Sequence, residues 1–120
     1  MKSNQSVEDY LESILLLSEK QEAVHRIDVA RALGVSQPAV QKAIKILIAR
    51  GYVVTDGMHI RFTEEGKAYA SAVYERHCTI RKYLAMQGVP EDVADRDACE
   101  MEHIVSPETY KMMQEFISRT

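Results

Sequence analysis

Residues 26–47 read RIDVARALGVSQPAVQKAIKIL and place two short amphipathic segments on either side of a glycine. Gly34 can adopt the positive φ that a tight turn between two helices requires. Ser36 is a typical N-cap for the second segment, and Pro38 falls in its first turn, where a missing N–H costs nothing. This spacing predicts a helix-turn-helix whose second helix ends at the pair Arg50-Gly51.

A β-hairpin is predicted directly after these helices. Two short runs, residues 52–55 and 59–62, flank Asp56-Gly57-Met58, which supplies a turn pair. A helix-turn-helix followed at once by a small hairpin is the pattern of a winged helix. The predicted fold class is therefore mainly α, with an N-terminal winged helix-turn-helix, a small β-hairpin wing and a helical part behind it.

Apolar residues at helical spacing predict further helices on both sides of the winged helix. The first runs from about residue 7 to 20 with Ser6 as its N-cap, and the polar residues 19–25 connect it to the helix-turn-helix. Thr63 caps the long fourth helix. The helices after the wing are expected over residues 63–86, 91–105 and 107–117.

Charge divides the chain into two parts. The 120 residues carry a net charge of −3, but residues 25–61 hold six basic and two acidic side chains, and all other residues hold nine basic and sixteen acidic ones. A basic winged helix suits contact with DNA phosphates, and an acidic helical part suits cation binding or dimerisation. We therefore expect a DNA-binding domain over residues 1–72 and a metal-binding and dimerisation domain over residues 73–120.

The composition also indicates where the protein works. No apolar run approaches the ~20 residues that a membrane-spanning helix needs, and the N-terminus has no apolar signal-peptide segment. The two cysteines, Cys78 and Cys99, are too few for a disulfide framework and are expected to be reduced thiols. These features predict a cytoplasmic protein with no membrane partner.

The second helix of a helix-turn-helix enters the DNA major groove with its N-terminal residues at the base edges. Gln37, Gln41 and Lys42 are predicted to read bases there. Ser36, Lys45 and, on the wing, Arg61 are better suited to phosphates. The alternative is a winged helix that contacts another protein through ordinary solvated residues. The full predicted DNA-binding set is Arg26, Ser36, Gln37, Pro38, Ala39, Gln41, Lys42, Lys45 and Arg61.

The segment Cys99-Glu100-Met101-Glu102-His103 concentrates side chains that bind metals. Cys99, Glu102 and His103 are spaced i, i+3 and i+4, which places them on one helical face. Three donors of different kinds on one face are costly to hold together without a cation. The spacing alone leaves metal binding and an ordinary polar surface both open.

Three more residues are candidate metal ligands, and each of them, like Cys99, also has a simpler structural explanation. Asp9 and Glu12 share a face of the first helix, where they can serve as ordinary N-terminal charges. His77 lies on the apolar stripe of the fourth helix, where a hydrogen-bonded core histidine is the common case. Cys99 by itself can be a small buried hydrophobic residue.

The order of these motifs resembles the diphtheria-toxin-repressor family of metal-dependent regulators, and more closely its short manganese-transport-regulator branch, which lacks a C-terminal SH3-like domain. The resemblance covers essentially the whole chain and rests on Asp-x-x-Glu at 9–12, Val-Ser-Gln-Pro-Ala-Val at 35–40, His77 and Cys-x-x-Glu-His at 99–103. It implies a repressor of metal-uptake genes that binds operator DNA as a homodimer, formed through its C-terminal helices, when loaded with Mn²⁺ or Fe²⁺. The metal ligands that it implies are Asp9, Glu12, His77, Cys99, Glu102 and His103.

The chain mixes the signatures of two branches of that family. The position of Cys99 is typically Glu in the manganese branch and Cys in the iron branch, whereas the position of Asp9 is acidic in the manganese branch and Met in the iron one. Carboxylates favour Mn²⁺, and a thiolate favours Fe²⁺, Zn²⁺ or Co²⁺. If Cys99 offers only its backbone carbonyl, the preference for Mn²⁺ stands. We expect Mn²⁺ first and Fe²⁺ next, with Zn²⁺ or Co²⁺ as further options. Members of the short branch also usually continue into one more helix.

Two other classes of protein compete with this interpretation. Glu100-x-x-His103 matches the motif of di-iron enzymes, but such sites need that motif from two helices and it occurs here once. We therefore predict no enzyme activity and no small organic substrate. The other alternative is a metal-independent winged-helix regulator that senses an organic ligand.

Overall fold

The computed structural model describes the backbone of residues 2–120 and the side chains from Ser6 onward. They form two compact units, residues 3–71 and 72–120, with the long fourth helix running from the first into the second. None of the helices in the described range is both long and apolar enough to cross a membrane. The elements are α1 (Lys2–Lys20), β1 (Val24–His25), α2 (Arg26–Leu33), α3 (Gln37–Ala49), β2 (Val53–Asp56), β3 (His59–Phe62), α4 (Glu64–Met86), α5 (Glu91–Met101) and α6 (Pro107–Arg119).

The helix-turn-helix has the predicted geometry. Gly34 ends α2 with φ 67°, in the left-handed region. Ser36 caps α3, since its Oγ accepts a hydrogen bond of 3.2 Å from the backbone N–H of Ala39. Val40, Ile44 and Leu47 form the buried side of α3, and they pack in the core of the N-terminal unit. The prediction of a mainly α fold with an N-terminal winged helix is confirmed.

The wing contains one strand more than the predicted hairpin. β2 and β3 pair as the antiparallel hairpin, and β1 pairs with the other edge of β3, which gives the order β1-β3-β2. The prediction that residues 19–25 only connect two helices is therefore wrong at Val24 and His25. Val24 pairs with Ile60 and is buried beside it, but a strand of two residues is too short to show an alternating pattern.

Two helix boundaries also differ from the prediction. α1 begins at Lys2, so Ser6 lies inside the helix and is not its N-cap. The polar residues before Ser6 include no Gly or Pro that would stop a helix. α5 ends at Met101 instead of continuing toward Val105, because the chain tightens into a turn in which the N–H groups of His103 and Ile104 bond to carbonyls three residues earlier. Ser106 then caps α6, with its Oγ accepting from the N–H of Thr109.

Thr63 and Gly66 join the wing to α4 within the N-terminal unit. The hydroxyl of Thr63 donates to the carbonyl of Gly51 at 2.7 Å and accepts from the N–H of Gly66 at 3.0 Å, so the predicted cap at Thr63 is confirmed. Gly66 is buried, and a Cβ placed on it would overlap the carbonyl oxygen of Tyr52. The wing and α4 are therefore in direct contact through their backbones at Tyr52 and Gly66.

The C-terminal unit has a small core of its own. Ile80 of α4, Ala98 of α5 and Met113 of α6 are buried together. Tyr83 packs edge-on against Phe116, with ring centroids 5.4 Å apart. This core fixes α4 and α5 side by side, and these two helices carry the residues described next.

Candidate metal centre

His77 is the central side chain of the candidate site in the C-terminal unit. It projects from the apolar side of α4 and is 6% exposed. Its Nδ1 lies 2.8 Å from Oε1 of Glu102, and its Nε2 lies 2.9 Å from Oδ1 of Asp95. The ring of Tyr74, one turn earlier on α4, stacks on the imidazole with an interplanar angle of 9°. The ring is thereby held by carboxylates at both nitrogens.

Glu102 is a buried carboxylate of the same unit, with 1% of the residue exposed. Its backbone carbonyl accepts a hydrogen bond of 3.0 Å from Nε of Arg76, which fixes the residue just past the end of α5. Its Oε2 is buried and has no hydrogen-bond donor in the described part of the chain. Burying such an oxygen without a partner is costly.

The unmatched oxygen suits a metal ion. Nε2 of His103 lies 3.5 Å from Oε2 of Glu102, and the His103 side chain is 2% exposed. A tetrahedral ion bound by an imidazole nitrogen and a carboxylate oxygen at about 2.0–2.2 Å holds the two atoms about 3.5 Å apart. The donor atoms of Glu102 and His103 therefore already have the separation that a shared ion requires.

A second group of donors lies on the other side of His77. One ligand atom each of His77, Asp95 and Cys99 lies within 4.8 Å of the other two. Asp95 and Cys99 are exposed, and Nη1 of Arg81 lies 3.4 Å from the Asp95 carboxylate. The hydrogen bond with His77 holds the pKa of Asp95 below its ordinary value, with the nearby Arg81 adding to the effect.

Sequence reasoning missed Asp95. It lies four residues before Cys99 on α5, which is the spacing that places two side chains on one helical face. The same rule relates Cys99 to His103, so the spacing that singled out the later residues also points back to Asp95. Of the six predicted ligands, the C-terminal unit holds His77, Cys99, Glu102 and His103.

The N-terminal unit carries the other two predicted ligands, Asp9 and Glu12. They lie on α1 less than one turn apart, and both are half-buried. Their neighbour Glu8 makes a different contact within that unit: its Oε2 accepts a hydrogen bond of 2.6 Å from the hydroxyl of Tyr69.

The predicted DNA-binding residues of α3 form an exposed polar surface. Arg61 is exposed on β3. Ala39 is only half-buried, and Arg26 is half-buried with an Nε that has no hydrogen-bond partner among the described residues. Six of the predicted residues are exposed at the start of α3 or within it: Ser36, Gln37, Pro38, Gln41, Lys42 and Lys45.

Two family models match the chain, one for each part. The model described as the iron dependent repressor N-terminal DNA binding domain matches residues 3–59. The model described as the iron dependent repressor metal binding and dimerisation domain matches residues 63–120.

Individual proteins match over most of the chain. The transcriptional regulator MntR of Escherichia coli O6:H1 is 35% identical over 114 residues, which are 94% of this chain and 74% of that protein. The HTH-type transcriptional regulator MJ0568 of Methanocaldococcus jannaschii is 32% identical over 97% of this chain and 95% of its own length. The solved structure of the metal-dependent transcriptional regulator MtsR superposes with a TM-score of 0.87 at 28% identity, over 98% of this chain and 55% of that one. The chain thus spans about half the length of the solved protein.

Proposed function

This chain belongs to the diphtheria-toxin-repressor family of iron-dependent repressors, and from that membership we propose that it is a metal-dependent transcriptional repressor. The family consists of transcriptional regulators and not of enzymes, which confirms the prediction of no catalytic activity. The observation that carries the proposal is the buried, unmatched carboxylate oxygen of Glu102 beside the ring of His103. We further propose a cytoplasmic location and a DNA-binding domain that ends near residue 72.

The proposed ligands are Asp9, Glu12, His77, Cys99, Glu102 and His103. A divalent ion supplies the positive charge that compensates buried carboxylates. Glu102 and His103 offer an oxygen and a nitrogen at a suitable separation, and Asp9 and Glu12 add the hard oxygen donors that Mn²⁺ prefers. Fe²⁺ is the next candidate ion. Zn²⁺ and Co²⁺ are further candidates, because the exposed thiol of Cys99 is a donor that they favour.

The exposed side of α3 is the proposed DNA-reading surface. Gln37 and Gln41 can form bidentate hydrogen bonds with adenine, and Lys42 can bind guanine. Ser36 and Lys45 beside those residues, and Arg61 on the wing, are proposed phosphate contacts, because all three are exposed side chains that can donate hydrogen bonds. The proposed partner is double-stranded operator DNA, read by one winged helix per half-site.

We propose a homodimer formed through the C-terminal helices. Met113 packs in the core of its own subunit, but Met112 beside it and Ile104 are 43% and 63% exposed. Exposed apolar side chains of this size suit a symmetric contact between two copies. In two-fold dimers of this kind, the reading helices lie one DNA helical turn apart, roughly 34–36 Å, or a multiple of it.

Metal binding and DNA binding are expected to be coupled, because the six proposed ligands come from both family domains. Such coupling is reciprocal, so operator DNA should raise the metal affinity by the factor by which metal raises the DNA affinity. An equal metal affinity with and without operator DNA would contradict the proposed mechanism.

The test is calorimetric titration of chelator-stripped, reduced protein with Mn²⁺, then anaerobic Fe²⁺, then Zn²⁺. Saturable binding is expected, and Glu102→Ala should abolish it. Glu100→Ala is the matched control, because this exposed carboxylate of α5 is not a proposed ligand. DNA binding that is unchanged by a chelator and by Glu102→Ala would instead favour the metal-independent regulator.

A further inference from the structure

Two histidines face each other across the wing, in a part of the molecule that the proposed metal centre does not use. β1 and β3 are antiparallel, and His25 is directly opposite His59. On its other side, His59 is directly opposite Asp56 of β2. The three residues thus form one row across the three-stranded sheet.

The row lies on the solvent side of the sheet. The adjacent residues Val24 and Ile60 point to the opposite face and are buried. His25 and His59 are half-buried, with 42% of the His25 side chain exposed, and Asp56 is exposed. An ion in solution therefore has direct access to both imidazoles and to the carboxylate.

The two rings lie about 1 Å farther apart than a shared ion requires. Their centroids are 6.2 Å apart and the rings are tilted by 40°. Directly opposed side chains in an antiparallel pair have Cβ atoms about 4.5–5.5 Å apart. A tetrahedral ion bound by two imidazole nitrogens at about 2.0–2.1 Å places the ring centroids about 5 Å apart, so binding requires both side chains to rotate toward each other.

Carboxylates next to the pair supply the charge that a cation requires. Asp56 is in the row itself, and Oδ2 of Asp28 lies 3.6 Å from Nδ1 of His25. Asp28 is held in place, since the same oxygen accepts hydrogen bonds from the backbone N–H of His25 at 2.8 Å and from Gln21 at 2.9 Å. A carboxylate beside one ring nitrogen orients a histidine to bind metal with the other.

We propose that His25, His59 and Asp56 form a second divalent metal site, on the wing, that takes Zn²⁺ or another ion with a preference for imidazole. Two nitrogens and one oxygen suit Zn²⁺, Ni²⁺ or Cu²⁺ better than Mn²⁺. Bound there, the ion connects the strand just before α2 to the wing. The site does not depend on the function proposed above, because it shares no residue with the other centre.

The test uses the full chain carrying Glu102→Ala, so that binding at the other centre is removed. Zn²⁺ is titrated while the imidazole resonances of the four histidines are followed by NMR. The resonances of His25 and His59 are expected to move together and to saturate. His59→Gln should weaken the response of His25 at least about tenfold, and His25→Gln should do the same to His59.

Val54→Thr is the matched control, because Val54 is exposed on the same strand as Asp56 and offers no metal ligand. This variant should keep the Zn²⁺ response of both rings. A second readout is amide hydrogen exchange at Val24 to Arg26, which bound Zn²⁺ should slow. The proposal is overturned if both rings stay unmoved by millimolar Zn²⁺, or if His25 responds equally with and without His59.

Discussion

Cys99 is the proposed ligand that differs most in chemistry from the others. It is an exposed thiol on α5, close to His77 and Asp95, whereas the side chains of Glu102 and His103 are 1% and 2% exposed. An exposed donor can be replaced without disturbing the core. Its identity should therefore affect which ion is bound more than whether the protein folds.

Replacing Cys99 should change the metal preference. Cys99→Glu exchanges a soft donor for a hard one, so we expect the ratio of Mn²⁺ affinity to Zn²⁺ affinity to rise by about tenfold or more. Calorimetric titration of the reduced protein with each ion measures this ratio. Cys78→Ser is the control, since Cys78 is half-buried on α4 and is not a proposed ligand. A ratio that stays the same in Cys99→Glu would remove the Cys99 side chain from the ligand set.

We expect the metal-free protein to lose stability in acid as the Asp95 carboxylate becomes protonated. Its hydrogen bond with His77 lowers the pKa of the Asp95 carboxyl in the folded state relative to the unfolded chain. A lowered pKa stabilises the fold above the unfolded value of about 3.9, and this stabilisation is lost as the pH falls through the folded pKa. Asp95→Asn should therefore flatten the decline in the free energy of unfolding below about pH 4.

Urea unfolding between pH 3 and 6, in the presence of a chelator, measures this difference. Asp97→Asn provides the comparison, because it removes an exposed carboxylate from the same helix. Equal pH profiles for Asp95→Asn and Asp97→Asn would show that the contact with His77 does not contribute.

At the scale of elements, α3 depends on Ser36 for its beginning. The Ser36 hydroxyl accepts from the N–H of Ala39, and its position at the start of the reading helix also makes it a proposed phosphate contact. These two roles can be separated by substitution, because aspartate is as good an N-cap as serine but repels phosphate.

We expect Ser36→Ala to lower the free energy of unfolding by about 1 kcal/mol, because the cap is lost. Ser36→Asp should leave stability within about 0.5 kcal/mol of the original and still weaken DNA binding strongly. Urea unfolding and a DNA-binding titration at fixed salt concentration check the two effects. If Ser36→Asp bound DNA as well as the original protein, α3 would not be the reading helix.

An element can be predicted from the sequence when the residues that determine it lie close together in the chain. α2, the turn at Gly34 and α3 were predictable because their caps and apolar spacing lie within about twenty residues. β1 was not, because Val24 becomes a strand residue only by pairing with Ile60, far along the chain. In the same way, the sequence indicates His77 as a ligand candidate, but not that two carboxylates hold its ring.

At the scale of the whole molecule, the bound ion should contribute to stability. An ion that binds only the folded protein adds about 2.7 kcal/mol to the free energy of unfolding at 100 times its Kd. We therefore expect Mn²⁺ to raise the urea midpoint of the original protein and to leave that of Glu102→Ala unchanged. An equal increase in both proteins would show that the stabilising ion is bound somewhere else.

The contact between Gly66 and the carbonyl of Tyr52 has a consequence for how this sequence can vary. Gly34 needs a left-handed backbone but has open space around it, so a library of variants should retain asparagine there at moderate fitness. Gly66 has a helical backbone that any residue can adopt, yet the smallest side chain would collide with Tyr52. Under selection for folding, alanine should be eliminated at Gly66, although it is otherwise the residue best suited to a helix.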